Sequence, residues 1–169
     1  MSRTGNEPKN MKSKLIGLVG LAGAGKNTAA DVFIRAGYQE AAFADEIKRI
    51  ARQIGWTGEK TGTGRELLQN IGMAGRAYDP NVWINIVKWC NPIRFGAPTV
   101  ITDVRFQNEA DWIKRAGGLL IRIVRPSIEQ GTHASETEQN SIQVDGSVIN
   151  DGSVAELHIR IEKLLNETI

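Results

Sequence analysis

The sequence is short of cysteine, of aromatic residues and of excess charge of either sign. One cysteine, Cys90, stands among 169 residues, which excludes an internal disulfide framework and a Cys-rich zinc site. We therefore expect a reducing, cytoplasmic location. Lysine and arginine number 21 and aspartate and glutamate 19, so the formal charge is +2. That charge is too small to predict binding of a nucleic-acid polymer by electrostatics alone.

Long hydrophobic runs are also missing. The longest apolar stretch, Leu15 to Ala22, is interrupted by glycines and is far shorter than the roughly 20 residues of a membrane span. Residues 1–13 are polar and lack both apolar periodicity and a signal-peptide pattern, so we expect a flexible tail there and no secretion or membrane attachment. Residues 14–169 are long and hydrophobic enough to form one domain with a buried core.

Short apolar runs alternate with helical patterns along the chain. Strands are predicted at Leu15–Val19, Tyr38–Phe43, Pro98–Thr102, Leu119–Val124 and Ser147–Ile149. Helices are predicted at Lys26–Arg35, from a cap at Asp45 to Ile54, and at Arg65–Tyr78, Pro80–Trp89, Asn108–Ala116 and from Val154 onward. This alternation is typical of an α/β fold with a parallel sheet and helices on both of its faces.

Glycine is abundant, and its clustering is informative. Residues 20–26 spell G-L-A-G-A-G-K, which satisfies G-x-x-x-x-G-K directly after a predicted strand and before a predicted helix. Glycines let backbone N–H groups surround a phosphate, and the lysine can bridge the outer phosphates. We therefore predict a phosphate loop rather than a turn that binds nothing. The residues predicted to bind nucleotide here are Gly20, Ala22, Gly23, Ala24, Gly25, Lys26, Asn27 and Thr28.

The residue after the loop lysine argues against a GTPase. A GTPase carries Ser or Thr there as a magnesium ligand, whereas this chain has Asn27, with Thr28 one position later.

Charged residues that follow predicted strands are the next candidates, because ligands of open parallel sheets bind at the carboxyl ends of strands. The carboxylate of Asp103 could hold magnesium through water or orient an attacking group. A helix cap or an ion pair with Arg105 is the structural alternative. Arg125 follows another strand and could neutralise a transferring phosphoryl group, its alternative being a solvated surface charge.

Two arginines and a tryptophan are candidates for an acceptor site. Arg65 and Arg76 begin and end one predicted helical segment, and the fork of an arginine suits a monophosphate. Each is as often a solvated helix charge. Trp83 lies in the next helix, where burial is the ordinary expectation, although an aromatic ring beside a substrate can stack on a base. His133 lacks the neighbours that would make a metal site.

Together these segments resemble the deoxynucleoside monophosphate kinases of bacteriophages, within the nucleoside-monophosphate-kinase group of P-loop proteins. The resemblance runs from about Leu15 to Leu165 and is specific as a set, although no single segment is. The segments that carry it are Gly25-Lys26-Asn27-Thr28, Phe43-Ala44-Asp45 followed by Lys48, Arg65-Glu66-Leu67-Leu68-Gln69, Ile101–Phe106 with Asn108-Glu109, His133-x-Ser135-Glu136 and Asn150-Asp151-Gly152.

The resemblance implies a P-loop kinase-like three-layer sandwich around a five-stranded parallel sheet of order 2-3-1-4-5. It implies a substrate-binding insertion around residues 45–95 and a lid around residues 125–145. It also implies transfer of the terminal phosphoryl group of ATP to a deoxynucleoside monophosphate, in the host cytoplasm if a phage encodes the protein. Mg²⁺ would then be held through the ATP phosphates and water, and whether Asn27 or Thr28 helps to hold it is not legible in the sequence.

The resemblance also implies roles for particular residues. The expected catalytic residues are Lys26, Asp103 and Arg125, and Asn150 and Gly152 join the nucleotide site. The expected acceptor site comprises Asp45, Lys48, Arg65, Arg76, Trp83, Asp103, Arg105, Asn108 and Glu109.

Two other functions are compatible with the same motifs. Another small-molecule P-loop kinase, of the phosphomevalonate or dephospho-coenzyme A type, would share the loop and the architecture. A nucleotide-binding switch or DNA-handling ATPase is disfavoured by the short chain, the near-neutral charge and the lack of a basic stripe. The accepted base, the discrimination between deoxyribose and ribose, and the oligomeric state are not legible in the sequence, and a homodimer is compatible with it.

Overall fold

The computed structural model describes residues 13–59, 61–90, 96–128 and 137–168. The strands are β1 (Leu15–Val19), β2 (Gln39–Ala41), β3 (Thr99–Val104), β4 (Leu119–Val124) and β5 (Gly146–Ile149). The helices are α1 (Lys26–Arg35), α2 (Ala44–Gln53), α3 (Gly62–Tyr78), α4 (Val82–Cys90), α5 (Gln107–Arg115) and α6 (Val154–Thr168), and a 3₁₀ helix spans Glu138–Ser141.

The five strands form one sheet in the order β2-β3-β1-β4-β5, and every neighbouring pair is parallel. Strand β1 lies at the centre, where Ile16 is in register with Val100 of β3 on one side and with Leu119 of β4 on the other. The predicted fold class and strand order are therefore confirmed. Because all strands are parallel, their carboxyl ends meet at one edge of the sheet.

The two faces of the sheet carry separate hydrophobic cores, and β1 contributes to both. Leu15 and Val19 pack with α2, α4 and α5, whereas Ile16 and Leu18 pack with α1 and α6. All five residues of β1 are buried, as the short apolar run predicts for a strand covered on both faces. None of the helices in the part of the chain that the structure describes is long and apolar enough to cross a membrane.

Most element limits differ from the sequence prediction by a few residues. Helix α1 and strands β1 and β4 have the predicted limits, whereas α3 begins three residues earlier, at Gly62. Strand β3 continues to Val104, so Asp103 lies inside the strand and not after it. The segment that contains His133, Ser135 and Glu136 lies outside the described residues.

Gly20 is where the fold demands glycine most strictly. Its φ of 149° is one that L side chains rarely adopt, and a Cβ there would lie 2.4 Å from the carbonyl oxygen of Ile123. Gly37 has a φ of 90°, but a Cβ there would meet nothing within 4 Å. A side chain at residue 37 would therefore meet backbone strain alone, whereas a side chain at residue 20 would meet both strain and steric overlap.

We expect Gly20→Ala to destabilise the protein more than Gly37→Ala. Gly37→Ala carries only the left-handed backbone cost of about 1–2 kcal/mol, whereas Gly20→Ala adds an overlap with backbone that costs about 1–3 kcal/mol more. Urea unfolding of the two variants measures the difference. Equal losses of unfolding free energy would contradict this expectation, because they would show that the backbone of β4 can shift to accommodate the new methyl group at no energetic cost.

Candidate active site

A cavity of about 570 Å³ lies at the carboxyl edge of the sheet. Its walls come from the phosphate loop, from the start of α2, from α3 and from the turn between β3 and α5. The basic side chains that line it are Lys26, Lys48, Arg65, Arg76 and Arg105, and the acidic ones are Glu40, Asp45, Asp103 and Glu109. Cations from four separate segments thus face one space, an arrangement that suits a ligand with several phosphate groups.

Lys26 is buried at the first turn of α1. Its Nζ donates to the carbonyl oxygens of Gly20, at 2.6 Å, and Leu21, at 2.9 Å. Burial and, to a smaller extent, the nearby charge of Arg105 lower the pKa of the Lys26 ammonium, Asp103 opposes them, and the resulting pKa is about 8. An anionic phosphate in the cavity would favour the charged form and give the ammonium a stronger partner than the two carbonyls.

The turn between β5 and α6 contacts the phosphate loop. Asn150 donates from Nδ2 to the carbonyl oxygen of Ala24 at 2.9 Å. The same Nδ2 lies 2.4 Å from where a Cβ of Gly25 would stand. Asn150 therefore packs against the loop and positions it without lining the cavity, while Gly152 lies beside Glu156 of α6.

Only part of the predicted nucleotide site faces the cavity. Ala22, Gly23, Lys26 and Asn27 line it. Gly20, Ala24, Gly25 and Thr28 belong to the loop and to the start of α1 but are not lining residues. The carbonyl oxygen of Thr28 accepts a hydrogen bond from Nε2 of the buried His158 at 2.9 Å, a contact between α1 and α6 that no sequence pattern indicated.

Asp103 connects β3 to the first turn of α2. Its Oδ1 accepts the backbone N–H of Phe43 and its Oδ2 that of Ala44, both at 2.8 Å. The first N–H groups of a helix have no partner within the helix, and the helix dipole favours a negative charge there. Asp103 therefore performs for α2 the capping that the sequence assigned to Asp45.

Asp45 lies within the first turn of α2 and faces the cavity together with Lys48. Its Oδ2 accepts the backbone N–H of Ala42 at 3.1 Å, and its Oδ1 accepts from Nζ of Lys48 at 3.1 Å. This pair is exposed, so it contributes little to stability, and its lysine can turn toward a ligand.

Arg76 and Glu109 form a buried ion pair in the cavity wall. Arg76 donates from Nη2 to Oε1 of Glu109 at 2.7 Å. It donates from Nη1 to the carbonyl oxygen of Gly72 at 3.2 Å, and its guanidinium lies 3.8 Å from the centre of the Phe106 ring. The structure thus brings together two residues of the predicted acceptor site.

The two remaining arginines of the cavity have different surroundings. Arg105 follows β3 and is half-buried, and within the described ranges its guanidinium has no hydrogen-bonded or ionic partner. Arg65 projects from the first turns of α3 and is exposed. Both arginines line the cavity, and a guanidinium is suited to a phosphate group.

Three of the residues predicted for catalysis or acceptor binding do not line the cavity. Arg125 is exposed after β4, and the side chain of Asn108 donates to the carbonyl oxygen of Pro80 at 2.7 Å. Trp83 is 4% exposed, and its Nε1 donates to the carbonyl oxygen of Gly72 at 3.0 Å. Trp83 is therefore a core residue that packs against α3, as expected for a tryptophan in a helix. It does not line the cavity, so it is not placed to stack on a base there.

The cavity also contains residues to which the sequence assigned no role. Gln69 and Met73 line it from α3, Phe106 from the turn before α5, and Glu40 from β2. Gln69 and Phe106 lie inside the segments that carry the family resemblance. That resemblance was the one signal in the sequence that could have identified them as site residues. Glu40 and Met73 have no motif around them, since only the packing of β2 and α3 brings them to the cavity.

No protein-family model matches the chain. A protein of Acanthamoeba polyphaga mimivirus, provisionally named a deoxynucleotide monophosphate kinase, is 37% identical over 180 residues, and the match covers 87% of this chain and 93% of the mimivirus protein.

Solved structures share the fold at low sequence identity. A Thermus thermophilus protein has a TM-score of 0.53 and 16% identity, with 90% of this chain and 96% of that chain covered. A sugar kinase from a Janibacter species has a TM-score of 0.50 and 16% identity, with 90% and 94% covered. At these identities the likeness concerns the fold alone. The match to the mimivirus protein extends over nearly the whole of both chains, and the chain belongs to the deoxynucleotide monophosphate kinase family.

Proposed function

We propose that the protein transfers the terminal phosphoryl group of ATP to a deoxynucleoside monophosphate and so produces the deoxynucleoside diphosphate and ADP. The observation that carries the proposal is that one cavity is lined both by the phosphate-loop lysine and by three arginines, from α3 and from the turn after β3. A donor triphosphate and an acceptor monophosphate would meet between them. The name of the mimivirus relative, which refers to a deoxynucleotide monophosphate, supports this acceptor class.

The nucleotide end of the site is the phosphate loop with Lys26. When ATP binds, the ammonium would exchange the carbonyl oxygens of Gly20 and Leu21 for phosphate oxygens, and Asn27 would lie beside it. The amino end of α1 adds partial positive charge at the same place. This end of the site neutralises charge and positions the donor, which is most of what phosphoryl transfer requires.

The residues also fit magnesium that arrives with ATP. The described ranges contain no group of three or more side chains that could hold a metal ion, and both oxygens of Asp103 accept backbone N–H groups. We expect a magnesium ion to be held by the ATP phosphates and water. When bound, it would neutralise charge on the β- and γ-phosphates.

The acceptor end of the site comprises Arg65, Arg105 and the Arg76–Glu109 pair. The guanidinium of Arg105 is the strongest candidate for the acceptor phosphate, because it is half-buried and has no partner among the residues that the structure describes. The attacking oxygen belongs to the acceptor phosphate itself, so no nucleophilic side chain is needed. Arg125 does not line the cavity. That it neutralises the transferring phosphoryl group is a separate part of the proposal.

A panel assay tests the proposed function. Each of the common deoxynucleoside monophosphates, and each ribonucleoside monophosphate, is incubated with ATP and Mg²⁺, and diphosphate formation is measured by chromatography. Phosphomevalonate, dephospho-coenzyme A and double-stranded DNA are added in parallel. We expect turnover with at least one deoxynucleoside monophosphate. Turnover only with another small molecule, or ATP hydrolysis stimulated by DNA alone, would contradict the proposal.

The pH dependence of ATP binding should report Lys26. Its pKa is about 8 in the free protein, so the ammonium loses its charge as the pH rises through 8. We expect ATP affinity to fall between pH 8 and pH 9.5, measured by calorimetry without acceptor. Lys26→Arg, whose side chain stays charged, should remove this fall, and Lys163→Ala on the exposed face of α6 should leave it unchanged. A fall of the same size in Lys26→Arg would assign it to another group.

Replacement of the arginines should separate acceptor binding from turnover. We expect Arg65→Ala and Arg105→Ala to raise the KM for the monophosphate by about 10-fold or more, with a much smaller effect on the KM for ATP, because each removes a charged hydrogen-bond donor. Arg125→Ala should lower kcat instead. Arg115→Ala, at the exposed end of α5, is the control. Normal acceptor KM values in both cavity variants would place the acceptor phosphate elsewhere.

Asp103→Asn should affect stability and acceptor binding together. An amide can accept only one of the two N–H groups at the start of α2, and its own NH₂ would face the other. We expect a loss of about 1–3 kcal/mol in unfolding free energy and a higher KM for the monophosphate, because α2 carries Asp45 and Lys48. Asp111→Asn on the exposed side of α5 is the control. Unchanged stability with a large fall in kcat would instead assign Asp103 to the reaction itself.

A further inference from the structure

Arg76 is held in place yet keeps unused donors. Of the five N–H groups of a guanidinium, one is donated to Glu109 and one to the carbonyl oxygen of Gly72. The other three have no partner in the part of the chain that the structure describes, and the residue faces the cavity. The ring of Phe106 supports one face of the guanidinium at 3.8 Å, so the fork is held in one plane.

The partner of Arg76 is a carboxylate in an unusual environment. Glu109 is 1% exposed, and its Oε2 accepts the backbone N–H groups of Arg105, at 2.9 Å, and Phe106, at 3.1 Å. Its Oε1 accepts from Arg76. The two oxygens therefore have separate tasks: one closes the first turn of α5, and the other holds an arginine of the cavity.

The charges around Glu109 come from three elements. Arg76 approaches from α3, Asp103 lies in β3, and Arg105 follows β3 in the turn that leads to α5. Burial raises the pKa of the Glu109 carboxyl to about 7, Asp103 acts in the same direction, and Arg76 opposes them. The carboxyl is thus divided between its two forms at neutral pH.

A phosphate monoester in the cavity would disturb this balance in two ways. Its oxygens would compete with Oε1 for the three unused N–H groups and the charge of Arg76, and its own negative charge would repel the carboxylate. Both effects favour the neutral form of Glu109. The neutral carboxyl can remain in place, because Oε2 still accepts the N–H groups of Arg105 and Phe106.

We propose that Glu109 is the positioning residue of the acceptor site, which holds Arg76 toward the cavity and takes up a proton from solvent when the acceptor phosphate binds. An O–H bond forms at Oε1, the ion pair of Glu109 with Arg76 ends, and an ion pair of Arg76 with the phosphate replaces it. No bond in the ligand changes. This inference rests on the proposed function, which supplies the phosphate monoester.

Proton uptake can be measured directly by calorimetry. The deoxynucleoside monophosphate with the highest turnover in the panel is titrated into the protein, without ATP, in two buffers that differ in ionisation enthalpy. At pH 7 we expect uptake of up to about half a proton, as linkage requires for a group whose pKa rises from about 7 on binding. Lys26, whose pKa is about 8, is mostly charged at this pH and contributes little. The matching deoxynucleoside, which has no phosphate, should bind without uptake.

Glu109→Gln is the matched variant, since it has the shape of the neutral carboxyl and does not titrate. We expect it to bind the monophosphate without this uptake and to have a KM for the monophosphate that changes little between pH 7 and 8.5. In the wild type the same KM should rise with pH, by up to about tenfold per pH unit. The phosphate group of the monophosphate itself titrates near pH 6. Its contribution to the pH dependence of KM is the same in both proteins, so the comparison with Glu109→Gln removes it.

The outcomes distinguish the inference from the function on which it rests. A wild-type protein that phosphorylates the monophosphate but binds it without proton uptake overturns the inference and leaves the function standing. Uptake that persists in Glu109→Gln also overturns it, because another group then titrates. If the variant does not fold, the two-buffer measurement on the wild type decides alone. A panel without any nucleotide turnover refutes the proposed function instead.

Discussion

The bidentate contact between Asp103 and the first N–H groups of α2 is the interaction on which the geometry of the site depends. Asp103 lies in β3, directly beside the central strand that leads into the phosphate loop. Helix α2 carries Asp45 and Lys48, which also line the cavity. One carboxylate thereby fixes the start of α2, and with it these two side chains, relative to β3. A charged group bonded to two helix N–H groups is well suited to this, because both bonds strengthen in a partly buried place.

Burial acts on the charged groups of the cavity in a consistent direction. It lowers the pKa of Lys26 and raises that of Glu109, so both side chains are closer to their neutral forms than the same groups in water. Phosphate groups would reverse the first shift and extend the second. Under the proposed function, binding of an anionic ligand would add positive charge at Lys26 and remove negative charge at Glu109, and both changes would favour the bound state.

The fold and the substrate are decided by different parts of the molecule. Proteins with only 16% identity share the architecture, since a parallel sheet, a phosphate loop and two helical layers satisfy the same packing rules with many sequences. What is particular to this chain is the set of side chains on α2, α3 and the turn after β3. The arginines, Gln69, Met73 and Phe106 in that set line the cavity, and under the proposed function they would select the acceptor.

The sequence by itself determined the features that depend on near neighbours in the chain. The phosphate loop, the limits of α1 and the buried character of β1 follow from motif spacing and apolar periodicity, and the strand order followed from the family resemblance. The tertiary structure alone decided which distant residues meet. Asp103 and Ala44 are 59 positions apart, Glu109 and Arg76 are 33 apart, and Asn150 and Ala24 are 126 apart.

Such contacts leave no periodic signal, because each depends on the packing of whole elements rather than on spacing within one. For the same reason the sequence assigned to Asp45 a cap that Asp103 provides and left both burial and base stacking open for Trp83, which the structure buries. Motifs formed by neighbouring residues could therefore be identified from the sequence. The partner of each charged side chain depends on how the sheet and helices pack, so only the tertiary structure decided it.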